Sequence, residues 1–206
     1  MLDTTHSAPN IKGIYINGQW QQTAQQFDDT NPNDGSLWAR IPDATAQDTR
    51  RAIDAAQAAF PAWTGLKFQE RADLMLKIAE VIEKRAGDYI PAAQFEGGGW
   101  YGKGVYETKV MPEMLKAAAA ACYSPIGEVL PSFNGKVSTA VRSPMGVIAI
   151  ISPWNMPGIL ATRPFSVPMA MGNTIVLKPS EETPYLGGLF FAEVMEEAGV
   201  PPGVFN

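Results

Sequence analysis

Histidine and cysteine are almost missing from this chain: His6 and Cys122 are the sole examples among 206 residues. One cysteine excludes an internal disulfide framework and is compatible with a reducing compartment. One histidine, in an N-terminal stretch expected to be a mobile tail, leaves no material for a Ser-His-Asp triad or a histidine-rich metal site. No metal ligand is therefore assigned. Basic charge is also in short supply, with 16 Lys and Arg against 21 Asp and Glu, a net charge of -5 and no basic run. Phosphate backbones need a basic face, so a nucleic-acid partner is not expected. No apolar run approaches the length of a membrane span, and residues 1–10 contain no apolar stretch of a secretion signal. These absences lead to the expectation of a cytoplasmic protein with no membrane partner.

What remains is ordinary globular material. A hydrophobic content of 46% supplies a core for one large or two small domains. Residues 13–20 and 26–31 read as short strands, and Asn31-Pro32-Asn33-Asp34-Gly35 as a loop. Thr45 or Asp48 can cap a helix with Ala52, Ile53, Ala56, Ala59 and Phe60 at helical spacing, ending near Pro61. Residues 69–86 predict a second amphipathic helix striped by Ala72, Met75, Leu76, Ala79 and Ile82 and closed by Gly87. A short helix over 88–96 and another over 101–122, interrupted or bent at Pro112, follow.

The texture then changes. Residues 127–131 and 136–142 predict two strands of a hairpin turning at Asn134-Gly135. The almost continuous apolar runs 146–152 and 174–177 flank a proline-interrupted helical segment over 157–171, which is the pattern of buried parallel strands joined by a crossover helix. A last helix over 185–198 stops at Gly199, and Val204-Phe205 opens a third strand. Gly97-Gly98-Gly99-Trp100-Tyr101-Gly102 matches the GxGxxG string of dinucleotide sites, but it follows a helix; the fingerprint requires a preceding strand, so a loop between helices is expected.

Two motifs stand at the ends of the apolar runs. Ile151-Ser152-Pro153-Trp154-Asn155-Met156-Pro157 lies at the carboxyl end of the first strand, where open α/β sheets bind ligands. Trp154 offers a flat apolar wall, and Asn155 an uncharged amide donor suited to a developing oxyanion. The plainer alternative is a Pro-Trp turn with Asn155 capping a helix. Leu177-Lys178-Pro179-Ser180-Glu181-Glu182-Thr183-Pro184 ends the second run. There Lys178 and Glu181 can hydrogen-bond vicinal ribose hydroxyls, or form a helix start with Ser180 or Thr183 as cap.

Together these motifs resemble the cofactor-binding and oxyanion-stabilising segments of the NAD(P)-dependent aldehyde dehydrogenase superfamily, and the resemblance runs over residues 15–206. It implies the N-terminal part of an α/β aldehyde dehydrogenase-like fold: an incomplete Rossmann-like parallel sheet with flanking helices and a protruding β-hairpin. Residues 1–126 would be the β-arm and helices of the cofactor-binding domain, 127–143 an oligomerisation hairpin, and 144–206 the first part of the dinucleotide-binding domain. By the same resemblance Asn155 is half of an oxyanion hole, while Ile151, Ser152, Pro153 and Trp154 line the nicotinamide ribose region. Lys178 and Glu181, assisted by Ser180, hold the adenosine ribose of NAD or NADP. The charge of Glu181 opposes a 2′-phosphate, which favours NAD.

Met156, Ile159, Leu160 and Arg163 follow Asn155 at helical spacing and correspond to a face that borders the family's substrate tunnel. The segment is similar to the benzaldehyde and vanillin branch, implying an aldehyde, possible aromatic character and a homodimer or homotetramer. Arg163 has an equally plain reading as a surface or interdomain ion-pair residue. The family's reaction uses a catalytic cysteine, a general-base glutamate and a glycine turn over the pyrophosphate, none of which this sequence contains. Cys122, at the end of an alanine run, reads as a packed small residue. The chain itself is thus expected to be inactive, with a non-catalytic cofactor-binding or oligomerisation module as the alternative.

Overall fold

The computed structural model describes residues 9–206; His6 and its tail lie outside the described residues. Two small antiparallel pairs come first. Strands β1 (Ile14–Ile16) and β2 (Gln19–Gln21) close at Asn17-Gly18, both at positive φ, 53° and 74°. Successive positive φ values reverse a hairpin within two residues, so the single strand expected over 13–20 divides in two. Strand β3 (Gln25–Thr30) pairs with β4 (Leu37–Asp43), which sequence reasoning did not anticipate. Pro42 inside β4 masks its pattern by breaking the expected run of strand formers.

Helix α1 (Ala46–Thr64) starts with a capping box: the Asp48 amide donates to the Thr45 hydroxyl, and the Thr45 amide to the Asp48 carboxylate. Such a cap contributes about 1 kcal/mol. The helix continues beyond Pro61, where termination was expected, to Thr64. Its last turn is held by Trp63, buried and donating its indole N–H to the Met169 carbonyl at 3.1 Å. Tertiary packing thereby outweighs the backbone bond lost at proline.

Helices α2 (Phe68–Lys84), α3 (Ala86–Phe95) and α4 (Tyr101–Ala121) form a layer in which α4 packs on both α2 and α3. Met75, Ile78, Ala79 and Ile82 make the buried stripe of α2, whereas Leu76 is 41% exposed. Leu76 follows Ala72 by four residues, but the buried face is centred on Met75, Ile78, Ala79 and Ile82, and Leu76 lies at its edge, about 100° round the helix from Met75. Arg85 ends α2 and begins α3, so Gly87 lies inside α3 rather than closing α2. Helix α4 runs through Pro112 without interruption.

Strands β5 (Gly127–Leu130) and β6 (Ser138–Val141) form the expected hairpin, with Asn134 and Gly135 at φ 54° and 71°. Beyond it, β7 (Val147–Ile151), α5 (Pro157–Ala170) and β8 (Thr174–Lys178) form the parallel crossover unit. A short π-helical stretch (Tyr185–Leu189) leads into α6 (Phe190–Ala198), which ends at Gly199 with φ 76°. This left-handed residue is a position that favours glycine. Phe205 bridges Ile175 in parallel, and the Ile175 and Leu177 amides donate to the carbonyls of Val204 and Asn206. Residues 204–206 thus begin a third strand beside β8.

One hydrophobic core, including Trp63, Met75, Met111, Phe165, Phe191 and Phe205, joins these helices to the parallel sheet. Each such large side chain contributes about 1.5–3 kcal/mol on burial. Strand β7 departs from the expectation of burial on both faces. Ile150 is 5% exposed but Ile151 is 81% exposed, because alternate residues point to opposite faces and only Ile150 joins the core, in which α5 packs on the sheet. Among the described residues, no helix is long and apolar enough to cross a membrane.

Candidate active and cofactor site

Both motifs lie at the same end of the parallel sheet. Ile151 is registered with Lys178, and the Ser152 amide donates to the Lys178 carbonyl at 3.2 Å, extending the β7–β8 pairing into the loop. The chain then leaves β7 through residues 152–156 and enters α5 at Pro157. Proline suits this first helical position because its missing N–H has no intrahelical partner to lose.

Asn155 is exposed. The N-cap of α5 is Met156, with no side-chain cap bond, so the plainer reading of Asn155 as a helix cap does not hold. Two large apolar side chains of the same strand end and loop are also exposed, Ile151 at 81% and Trp154 at 59%. Pro153 is exposed, whereas Ser152 is buried with an unpartnered hydroxyl oxygen. Beyond the loop, Met156 and Leu160 are half-buried and Arg163 is exposed. Ile159 departs from the expected substrate-facing group: it is 5% exposed and belongs to the core. The physical reason is its phase on α5, which turns it toward the helical layer.

At the second motif, Lys178, Ser180 and Glu181 line a cleft of about 570 Å³ between the end of β8 and the N-terminal strands. Its opposite wall includes Tyr15, Phe27 and Pro42. Lys178 Nζ lies 3.7 Å from a Glu181 carboxylate oxygen and donates to the Pro179 carbonyl at 2.9 Å. Its own backbone N–H and the nearby Lys178 hold the Glu181 carboxyl below the usual range. An ionised acceptor next to an ammonium donor, against apolar walls, fits a ribose with an attached flat base. Close passage also requires Gly188, where an added Cβ would come within 2.6 Å of the Pro179 ring. Asn155 and Trp154 are not among the residues lining this cleft; the two motifs meet through the backbone at Ser152 and Lys178.

Two buried acids behind these loops escaped sequence reasoning. Glu107 of α4 accepts the Gly158 amide at 2.8 Å, the Ile159 amide at 3.2 Å and the Tyr89 hydroxyl at 3.1 Å. Glu96, at the end of α3, accepts the Tyr185 and Leu186 amides at 2.6 Å and 2.8 Å. Burial pushes the Glu107 carboxyl up, opposed by its backbone donors and by Lys103. Glu107 shares a helical face with the buried Gly104, Met111 and Leu115. A charged residue on that face was the available signal; Glu96 offered none.

The remaining candidates are structural in placement. Cys122 is buried, its thiol facing the Ala170 carbonyl at 3.4 Å, and burial pushes its pKa up. The glycine string over 97–102 connects α3 to α4 rather than a strand to a helix. Among the described residues, no group of three or more His, Cys, Asp and Glu could hold a metal ion.

Residues 20–206 match the model of the aldehyde dehydrogenase family, and the chain belongs to that family. It is 42% identical to a vanillin dehydrogenase from Pseudomonas fluorescens over 183 residues, covering 87% of this chain and 37% of that one. A NAD-dependent benzaldehyde dehydrogenase from Corynebacterium glutamicum superposes with a TM-score of 0.90 at 30% identity, over 94% of this chain and 44% of that one. An Escherichia coli NADP-dependent enzyme superposes with a TM-score of 0.91 at 32% identity, over 95% of this chain and 41% of that one. The chain therefore spans well under half the length of these relatives.

Proposed function

We propose that this chain forms the oxyanion-binding and adenosine-ribose-binding part of an NAD(P)-dependent aldehyde dehydrogenase acting on an aromatic aldehyde. The supporting observation is the Ser152–Lys178 backbone bond, which joins the two motifs at one sheet end. The relatives named for vanillin and benzaldehyde support the aromatic class.

In this reading the Asn155 amide donates to the aldehyde oxygen as negative charge develops on it, stabilising the transition state more than the neutral carbonyl. The bound nicotinamide cofactor supplies the hydride acceptor. Lys178 donates to, and Glu181 accepts from, the adenosine ribose hydroxyls, with Ser180 beside them. Ile151, Ser152, Pro153 and Trp154 border the nicotinamide ribose, while Met156, Leu160 and Arg163 face the substrate. The nucleophilic thiolate comes from outside these 206 residues, since the single cysteine, Cys122, is packed inside.

Hairpin β5–β6 carries Val129, Phe133 and Val137 at 77%, 86% and 80% exposure, and we assign it to contact between copies of the longer protein. No observation favours the alternative of a non-catalytic module.

The test is to express the complete reading frame carrying this segment and follow reduced-cofactor absorbance with benzaldehyde, vanillin and aliphatic aldehydes, each with NAD and NADP. Turnover fastest with an aromatic aldehyde is expected. No cofactor reduction with any aldehyde would overturn the reading.

A further inference from the structure

Each functional loop ends in a helix that lacks a side-chain cap of its own. Met156 precedes α5 and Pro184 precedes the π-helical stretch, and neither makes a side-chain cap bond. In both places the next free amides are taken by a glutamate from the α3–α4 region. Glu107 lies 51 residues from Gly158 in sequence, and Glu96 lies 89 residues from Tyr185. These are caps supplied across the fold.

Interior carboxylates are costly to desolvate, and such groups persist where their hydrogen bonds fix a particular geometry. Glu107 is 0% and Glu96 2% exposed. The approach at Glu107 is also unusually close: a Cβ on Gly158 would come within 2.4 Å of the Tyr89 hydroxyl and 2.6 Å of the Met111 sulfur. Gly158 is thus required for α5 to begin against α3 and α4. Three residues before it stands Asn155. At the other clasp, the Tyr185 amide bound by Glu96 follows residues 178–181 after a short turn.

We propose that Glu107 and Glu96 are positioning residues with separate duties, Glu107 fixing the loop that presents Asn155 and Glu96 fixing the loop that presents Lys178 and Glu181. This rests on the dehydrogenase reading above. Neither glutamate touches substrate or cofactor; each acts through the amides it holds. Misplacement by a fraction of an ångström is enough to spoil an oxyanion donor, because hydrogen-bond strength falls steeply with geometry.

The test uses the complete enzyme. Glu107→Asp keeps the charge but shortens the reach by one methylene; Glu107→Gln keeps an acceptor at full reach; Glu96→Asp shortens the other clasp. Glu107→Asp should lower kcat by about tenfold or more with KM for the cofactor within about twofold, and Glu107→Gln should restore most of that loss. Glu96→Asp should raise cofactor KM about tenfold and leave kcat at saturation nearly unchanged. Combining Glu107→Asp with Asn155→Ala should slow the enzyme no further than Asn155→Ala alone.

Lowered melting temperature with kcat and KM both unchanged would overturn the proposal. So would Glu107→Gln as impaired as Glu107→Asp, or multiplicative losses in the double variant. These outcomes leave wild-type activity intact and the dehydrogenase reading standing. An inactive wild type would remove that reading and the positioning roles with it.

Discussion

Glu96 and Asp29 are neighbouring buried carboxyls, 2% and 5% exposed, each of which shifts the ionisation of the other. Burial pushes the Asp29 carboxyl up to about 6; the neighbouring Glu96 opposes the rise and the charge of Glu182 adds to it. Burial pushes Glu96 well above the carboxylate range, with Asp29 reinforcing the shift. Asp29, beside the Glu96 that backs the second loop, is therefore sensitive to ordinary changes of pH.

Both folded-state values lie above those of an unfolded chain, so the folded protein binds more protons in the intervening window. For Asp29 the associated stability is fully present below 3.8 and is lost as pH rises through about 6. Asp29→Asn should flatten this part of the profile. Thermal melts from about pH 4 to about pH 7 should show wild type losing more stability than the variant as pH rises. Identical slopes would contradict the assignment.

Cys122 is expected to be dispensable. Its thiol faces the Ala118 and Ala170 carbonyls in a buried setting, with no neighbouring base. The 206-residue chain should reduce no cofactor with benzaldehyde, vanillin or aliphatic aldehydes, and Cys122→Ala should cost no activity in the complete enzyme. Cys122→Ala replaces the SH by hydrogen and removes one heavy atom, so destabilisation below about 2 kcal/mol is expected by denaturant unfolding. Activity of the chain that disappears with Cys122 would overturn its packing role.

The cofactor loop makes a prediction about preference. Glu181 is ionised and close to Lys178, an arrangement that, under the proposed reading, would accept from ribose hydroxyls and oppose a 2′-phosphate. In the complete enzyme, Glu181→Gln should weaken NAD while narrowing its advantage over NADP. Lys178→Ala should weaken both, NADP more. Paired titrations with equal affinities in all three proteins would remove both residues from the cofactor site.

Periodicity and strand-end chemistry made the parallel unit legible. The apolar runs 146–152 and 174–177 became β7 and β8 with a crossover helix between them, and Gly199 ended α6 as its sequence signals require. Pairing across the chain was less legible. Pro61 looks like a stop until Trp63 finds Met169, and Pro42 hides β4 until β3 supplies a partner. Asn155 could be singled out because an amide beside Trp154 at a strand end has distinctive chemistry. Glu107 and Glu96 could not be given their roles, since local sequence does not reveal which distant amides a buried carboxylate will accept.

If residues 152–156 present an oxyanion donor, the chemical step should suffer when Asn155→Ala is made in the complete enzyme. Under saturating cofactor and aldehyde, single-turnover formation of reduced cofactor should slow by about 10² to 10³, corresponding to about 2.7–4 kcal/mol of lost transition-state stabilisation, with cofactor affinity nearly unchanged. A wild-type rate for the chemical step, accompanied by loss of cofactor binding, would contradict the account and make Asn155 a cofactor ligand.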